Sequence, residues 1–420
     1  MDDVAAPDAD ARTAVEDAAR RSYGKLVAFL AARTRDVAGA EDALADAFAS
    51  ALADWPANGC PRNPEAWLLT AARRKQIDAA RKRRTGEAAS ADLAILADEL
   101  DMAEHGAIPD RRLALMFACA HPALEHGIRA PLMLQTVLGL DAKRIASAFL
   151  VSPEAMGKRL GRAKEKIRDA GIRLEVPDSD DLDGRLEAVL EAIYAAYAEG
   201  WSDPRGTDSV RRDLTGEAVY LARLAAELQP GEPEALGLLA LMLHTQARAR
   251  ARRDAKGEYV PLADQDPAQW DEEMIEEAEG VLGRAATLEA IGRYQIEAAL
   301  QSAHVHRRRT GKNNWPQVLE LYDALAALTG SPVVAVNRAL ALAEVEGPAA
   351  ALAALEEIAA DARLEEYQPY WASRAELYAR AGERDEADRA YEIAIGLERD
   401  PAVRRFLERR RTEIRRADRR

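Results

Sequence analysis

Cysteine and long apolar runs are both scarce in this chain of 420 residues, which contains only Cys60 and Cys119. Two cysteines without paired spacing do not fit a disulfide framework or a zinc finger, so we expect packing roles for both. The longest apolar run, residues 235–243, is less than half of the roughly 20 residues needed to span a membrane. The acidic start, MDDVAAPDADART, lacks the apolar segment of a targeting peptide. We expect a cytoplasmic protein with no membrane partner.

Residue patterns typical of catalysis and metal binding are also missing. The six histidines include no pair at helical ligand spacing, because His121 and His126 are five residues apart and His304 and His306 fall on different helix faces. We find no glycine-rich phosphate loop, nucleophile elbow or isolated carboxylate pair. We expect no enzyme activity, no cofactor and no metal.

Aromatic residues make up only 5% of the chain, whereas Ala, Leu, Arg and Glu are abundant. Apolar residues often recur at i, i+3 and i+4, and β-branched runs are few, which favours helices over strands. We predict an all-α protein, long enough for about two to four domains.

Charge is distributed unevenly along the chain, whose net charge is −14. Residues 1–176 sum to zero, residues 177–400 carry −20, and the last twenty residues carry +6. An acidic body repels nucleic acid. Contact with DNA is therefore expected through local basic faces in residues 1–176, and less so through the tail.

Composition changes predict five segments. We predict a domain over 10–88, an acidic linker over 89–110, a second domain over 111–176, an acidic linker over 177–185 and a helical extension over 186–420. Gly and Pro within 252–270 indicate an ordered excursion, such as a short hairpin, inside the extension.

The segment NPEAWLLTAARRKQIDAARKRR, residues 63–84, predicts a basic helix that begins with Asn63 as N-cap and Pro64 at the first helical position. The buried stripe is expected to contain Trp67, Ala71, Ile77 and Ala80. The exposed side is expected to carry Arg73, Lys75, Arg81 and Arg84. By itself this pattern is equally compatible with an ordinary solvated face.

Residues 140–168 have the layout of a helix-turn-helix. Asp141 caps a short helix to about Phe149, and Ser152 and Pro153 begin a second helix after a three-residue turn. That second helix has one apolar face, formed by Met156, Leu160, Ala163 and Ile167. Its opposite stripe is basic and suited to DNA: Lys158, Arg159, Arg162 and Lys166. A helical hairpin with a basic outer face is the alternative.

Three segments resemble, in order, the bacterial extracytoplasmic-function type of RNA polymerase sigma factor. Residues 38–55 resemble the helix that binds the clamp of the polymerase largest subunit, residues 64–84 the helix that opens the minus-ten element, and residues 140–168 the helix-turn-helix that reads the minus-thirty-five element. The resemblance implies minus-ten contacts by Arg73, Arg74, Lys75, Asp78, Arg81, Lys82 and Arg84. It implies minus-thirty-five contacts by Ser152, Lys158, Arg159, Arg162 and Lys166.

The clamp-like helix is also amphipathic in the sequence. Its core face is expected to contain Leu44, Phe48, Leu52 and Trp55. A polar stripe on another side, Asp42, Asp46 and Ser50, is the expected polymerase contact.

The minus-ten helix departs from the family at one position. The family pattern Ala-Arg-Asn is here Ala72-Arg73-Arg74, so a donor-only cation replaces an amide. Asp78 and Arg81 match the pattern.

The extension resembles tetratricopeptide repeats, because Trp371, Ala375, Tyr378 and Gly382 recur at the expected spacings and Gly347 precedes Gly382 by 35 residues. Together with residues 259–271, this resembles the sigma-factor subgroup with a long helical extension, whose members are thought to be regulated through it. Residues 186–420 are expected to bind a protein partner or to dock on the chain's own basic domains.

We expect a sigma factor that binds core RNA polymerase and promoter DNA. A helix-turn-helix regulator with a tetratricopeptide-like sensor and no polymerase binding is the alternative, and a scaffold with incidental basic helices is a third possibility.

Overall fold

The computed structural model describes residues 6–83, 108–149, 151–201 and 209–417, and the predicted all-α fold is confirmed. Within these ranges β structure is limited to one antiparallel bridge, between Arg253 and Tyr259. The described residues divide into two compact units. The first unit contains the described residues up to 201 and also residues 210–218. The second unit contains residue 209 and residues 219–417.

The first unit contains two groups of helices and one additional helix. The first group is α1 (Ala6–Thr34), α2 (Val37–Asn58) and α3 (Pro64–Arg83). The second is α4 (Arg112–Cys119), α5 (His126–Leu138), α6 (Ala142–Ala148) and α7 (Pro153–Asp169), followed by α8 (Ser179–Trp201). Helix α9 (Ser209–Leu228) contributes residues to both units.

Local capping explains where several of these helices begin. The Asp36 carboxylate accepts from Gly39 N at 2.9 Å, the Asn63 side chain from Ala66 N at 3.1 Å and the Ser152 hydroxyl from Ala155 N at 3.2 Å. Each cap satisfies a backbone donor that the helix itself leaves without a partner. The predicted starts of α3 and α7 are thereby confirmed.

The predicted linker over 177–185 is wrong from Ser179 onward, because α8 begins there. Its acids fall in the first turns of a helix, where the macrodipole favours negative charge. Helix α8 packs on α4 and α5, and Arg185 donates to the Phe117 carbonyl at 3.0 Å. The start of the expected extension therefore belongs to the first unit. Most of the other predicted linker, residues 89–107, lies outside the described residues.

The second unit is a succession of packed helices. They are α10 (Pro233–Ala247), α11 (Glu272–Ala286), α12 (Arg293–Thr310), α13 (Trp315–Thr329), α14 (Pro332–Val345), α15 (Pro348–Glu357), α16 (Gln368–Ala381), α17 (Arg384–Leu397) and α18 (Pro401–Ala417). From α12 to α18 each helix packs on the next, around small apolar cores.

Three glycines mark a repeating hairpin in this unit. Gly311, Gly347 and Gly382 follow α12, α14 and α16, and their φ values are 68°, 94° and 84°. This left-handed conformation favours glycine. Their spacings of 36 and 35 residues extend the period expected from Gly347 and Gly382 alone.

The basic C-terminal helix α18 is neutralised within its own unit. Arg405 and Arg409 both contact Glu258 at 2.8 Å. The Asp388 carboxylate accepts hydrogen bonds from Nε of Arg411 at 2.7 Å and from Nε of Arg415 at 2.6 Å. These guanidinium groups hold the pKa of the Asp388 carboxyl well below its usual range. Glu258 lies in the predicted excursion, which is an ordered turn around Gly257. The arginines of the tail thus connect helices and the excursion.

Candidate nucleic-acid interface

Helices α6 and α7 form the predicted helix-turn-helix. Asp141 accepts from the backbone of Lys143 and Arg144 at 2.9 Å, which fixes the start of α6. The four predicted apolar residues of α7 are all buried: Met156, Leu160, Ala163 and Ile167. Their burial against α5 and α6 fixes the rotation of α7 about its axis.

The opposite stripe of α7 is open to solvent. Lys158, Arg162 and Lys166 are exposed, and Ser152 is exposed at the helix start. Arg159 is half-buried, and its guanidinium donates to the Gly127 carbonyl at 3.3 Å. The stripe therefore presents three exposed cations along one helix, a spacing that suits the phosphates and base edges of a major groove.

The buried face of helix α3 differs from the face that the sequence predicts. Its buried face contains Leu68, Leu69 and Ala72, whereas Trp67, Ala71 and Ile77 are only half-buried. Apolar residues lie on two sides of this helix, so periodicity alone did not distinguish between the faces.

Arg73 is the clearest correction, because it was expected at the surface and is 1% exposed. Its guanidinium lies 5.3 Å from the centroid of the Phe29 ring, and Nη1 donates to Gln76 Oε1 at 2.9 Å. A guanidinium can be buried when an aromatic face and hydrogen bonds replace water. Arg73 thus packs α3 on α1 and is removed from the candidate DNA face.

The exposed face of α3 retains three of the predicted residues: Arg74, Lys75 and Asp78. The side chains of Arg81 and Lys82, and the whole of Arg84, lie outside the described residues. The half-buried Trp67 lies on the same side of α3 as Arg74 and contacts Trp55 edge to face, with 5.5 Å between ring centroids. The substituted residue Arg74 is thus on the surface available to DNA.

The polar stripe of α2 is placed much as expected. Asp42 and Asp46 are exposed, and the half-buried Ser50 donates its hydroxyl to the Asp46 carbonyl at 2.8 Å. The expected core face is only partly right, because Leu52 is 48% exposed. Alanines take its place in the core, namely Ala40, Ala43, Ala47 and Ala51.

Sequence reasoning missed a polar cluster between the two groups of helices. Lys164 of α7 forms an ion pair with Glu41 of α2, and the Tyr23 hydroxyl of α1 donates to Glu41 at 3.4 Å. The paired residues are separated by 123 positions, and neither belongs to a recognisable motif. No local signal could have revealed the pair.

The described residues contain neither a candidate membrane span nor a candidate metal cluster. None of the described helices is long and apolar enough to cross a membrane. No group of three or more His, Cys, Asp and Glu side chains in this part of the chain is arranged to hold a metal ion.

Comparison with known proteins gives two domain matches and a relative that is similar over most of both chains. The family profile described as Sigma-70 region 2 matches residues 19–85, and Family of unknown function (DUF6596) matches residues 185–286. Uncharacterized protein R00370 of Rhizobium meliloti (strain 1021) is 42% identical over 367 residues, which are 85% of this chain and 86% of the relative. No solved structure matches the chain.

Proposed function

The chain belongs to the same family as the Rhizobium meliloti protein and contains sigma-70 region 2, and from this premise we propose that it is a sigma factor of the extracytoplasmic-function type. In this proposal it binds core RNA polymerase and directs it to a promoter with two recognition elements. Region 2 by itself supports a role in transcription initiation.

One observation carries the finer proposal: sigma-70 region 2 and a helix-turn-helix with an exposed basic stripe occur in one chain. In α3, Arg74, Lys75 and Asp78 are assigned to the minus-ten element. In α7, Lys158, Arg162 and Lys166 are assigned to the minus-thirty-five element, where phosphate contacts supply affinity and base-edge contacts supply selectivity. The acidic stripe Asp42 and Asp46 is assigned to the polymerase clamp.

The second unit is assigned a regulatory role. Its repeating hairpins, marked by Gly311, Gly347 and Gly382, resemble solenoids that bind peptides or protein domains on extended surfaces. Its ion-paired C-terminal helix supports a role in closing the end of the stack rather than in binding DNA.

Transcription reconstituted from purified core polymerase, the full-length protein and genomic promoter candidates tests the proposal. We expect transcripts that start at specific sites only when the protein is present. The double variant Arg162→Ala/Lys166→Ala should reduce them and lower the salt slope of promoter binding by about 2, since each lost phosphate contact lowers it by about 1. The charge-matched control Lys256→Ala/Lys312→Ala, at exposed positions of the second unit, should behave as wild type. DNA binding without any polymerase-dependent transcript would favour the alternative regulator.

A further inference from the structure

Partly buried arginines of the second unit are regularly paired with carboxylates. Acids are in excess there, since residues 177–400 carry a net charge of −20. A guanidinium that is removed from water is unfavourable unless an anion accompanies it, which explains the pairing. Seven arginines with side chains 17–37% exposed each form an ion pair with an acid on another element: Arg253, Arg309, Arg338, Arg374, Arg380, Arg410 and Arg411.

Arg307, near the end of α12, departs from this pattern. It is half-buried, yet it forms no ion pair with any described residue. The carboxylate whose charge acts on it, Glu344, is bound instead to Arg380 at 2.6 Å. Burial consequently lowers the pKa of Arg307, whereas the hydrogen bond to Asp388 raises the pKa of Arg411. Arg307 is therefore a partly desolvated cation that lacks an anion.

The Arg307 guanidinium is nevertheless held in one orientation. Its Cζ lies 3.8 Å from the centroid of the Trp315 ring. Nη1 donates to Asn314 Oδ1 at 3.1 Å, and Nη2 lies 2.8 Å from His304 Nδ1. Because a guanidinium has only donors, His304 accepts through Nδ1 and is neutral, and burial lowers its pKa to about 3. The two bonds use two of the five guanidinium N–H groups, so three remain for a ligand.

The groups around Arg307 orient its charge without neutralising it. An aromatic face stabilises a nearby cation by about 0.5–2 kcal/mol, and the amide and imidazole acceptors carry no net charge. An incoming anion meets a guanidinium that is already oriented and already partly desolvated. Little side-chain entropy is then lost on binding. This is the arrangement of a preformed anion receptor.

The surroundings of Arg307 indicate which anion fits. The planar guanidinium matches carboxylate or phosphate through two parallel N–H···O bonds. Residues 307–312 contain four basic residues and no acid, and Lys312 among them is exposed in the turn between α12 and α13. The acidic excess of the rest of the unit opposes ligands that carry several negative charges. A single carboxylate matches these conditions better than phosphate.

We propose that Arg307 is the centre of a site that binds a molecule through a single carboxylate group. Trp315, His304 and Asn314 hold the guanidinium in position for it. The carboxylate belongs either to a small organic acid or to the C-terminus of a peptide lying along the helical hairpins, as in other solenoids. The site goes beyond the proposed function, because binding requires neither polymerase nor promoter DNA.

Acetate binding to the full-length protein tests the site. The indole N–H signal of Trp315, assigned with Trp315→Phe, reports on it in proton–nitrogen correlation spectra. Acetate should shift this signal in a saturable manner, whereas uncharged acetamide and chloride at equal ionic strength should not. Inorganic phosphate should bind more weakly than acetate. The absence of a saturable shift with acetate, or phosphate binding at least as tight, would overturn the proposal.

Two variants test the assignment of Arg307. Arg307→Gln should raise the Kd for acetate at least about tenfold, because the cation and its paired donors are lost. Asn314→Asp keeps the stack on Trp315 and supplies an internal carboxylate, so it should also weaken acetate binding. Arg338→Gln is the matched control, since Arg338 already pairs with Asp323, and it should retain the wild-type affinity. Unchanged affinity in both test variants, with circular dichroism confirming that each is folded, would overturn the assignment.

A peptide distinguishes the two sources of the carboxylate. An N-acetylated alanine tripeptide is compared as the free acid and as the C-terminal amide. Tighter binding of the acid than of acetate supports a peptide C-terminus, and equal binding supports a small organic acid. Binding of the amide as tightly as of the acid would show that no carboxylate is recognised. These measurements involve no polymerase, so their failure leaves the proposed function intact.

Discussion

The carboxylate of Asp46 lies 3.6 Å from the ammonium of Lys75, which joins the acidic stripe of α2 to the basic face of α3. Both side chains remain well exposed, at 62% and 48%. An exposed pair of this kind contributes at most about 1 kcal/mol, so it does not prevent either residue from engaging a partner. The surfaces assigned to polymerase and to the minus-ten element are therefore adjacent.

Removing the acidic stripe should weaken polymerase binding selectively. We expect Asp42→Ala/Asp46→Ala to raise the Kd for core polymerase about tenfold, because charged contacts at a protein interface are lost. Binding to isolated duplex DNA should not weaken, since the change removes negative charge. Fluorescence anisotropy with each partner measures both effects. Glu273→Ala, at an exposed acid of the second unit, is the control, and equal loss of polymerase binding in that variant would contradict the assignment.

Neighbouring arginines of α3 should respond differently to substitution. Arg73→Ala should lower the free energy of unfolding by about 1–3 kcal/mol, because the contact with Phe29 and the hydrogen bond to Gln76 are lost in a buried site. Arg74→Ala should change stability by less than about 0.5 kcal/mol, as is usual for exposed positions, and should weaken promoter opening. Urea unfolding and permanganate footprinting of promoter DNA measure the two effects. A destabilised Arg74→Ala with a stable Arg73→Ala would contradict the observed rotation of α3.

Truncations should distinguish α8 from the rest of the extension. A chain ending at residue 185 loses most of α8, which packs on α4 and α5, and should expose their apolar surface and aggregate or unfold more readily. A chain ending at residue 218 retains the whole first unit and should remain folded. Light scattering and thermal unfolding compare them. If the chain ending at residue 218 also supports transcription as the full chain does, with no change in promoter binding, a regulatory role for the second unit is excluded.

The stability of the second unit should fall below neutral pH. Burial and the nearby cations Arg248 and Arg309 lower the pKa of His244 to about 4, and burial lowers that of His304 to about 3. The folded state therefore resists protonation that the unfolded chain accepts below about pH 6.5. The contribution of these two histidines to the free energy of unfolding is fully present well above pH 6.5 and declines as the pH falls towards 4. His244 alone should lower the free energy of unfolding by roughly 2 kcal/mol at pH 5.

Replacing the buried imidazole checks this prediction. Urea unfolding of His244→Leu between pH 7 and pH 5 should show a smaller decline than wild type, and His304 should contribute to the decline that remains. His306→Ala, at an exposed histidine, should retain the wild-type slope. A slope that is unchanged in His244→Leu would show that His244 is not the group responsible.

Features that depend on a few neighbouring residues were predictable from the sequence. The caps Asn63 and Ser152 and the apolar face of α7 were identified correctly because a capping side chain and a 3.6-residue period act within one or two turns. The helical hairpin whose turn contains Gly382 was visible for the same reason, since the φ of 84° at that turn favours glycine.

Features that depend on distant partners were decided by tertiary structure. The buried face of α3 depended on Phe29, whose ring made burial of Arg73 possible, and the helix's own apolar residues did not specify it. The assignment of α8 to the first unit required the surface of α4 and α5, and the neutralisation of α18 required acids as distant as Glu258. The pairing of Glu41 with Lys164 likewise joins two residues that are 123 positions apart in the chain. Local sequence determines which segments are helical and amphipathic, whereas desolvation and pairing across the chain determine which of their charges remain available for binding.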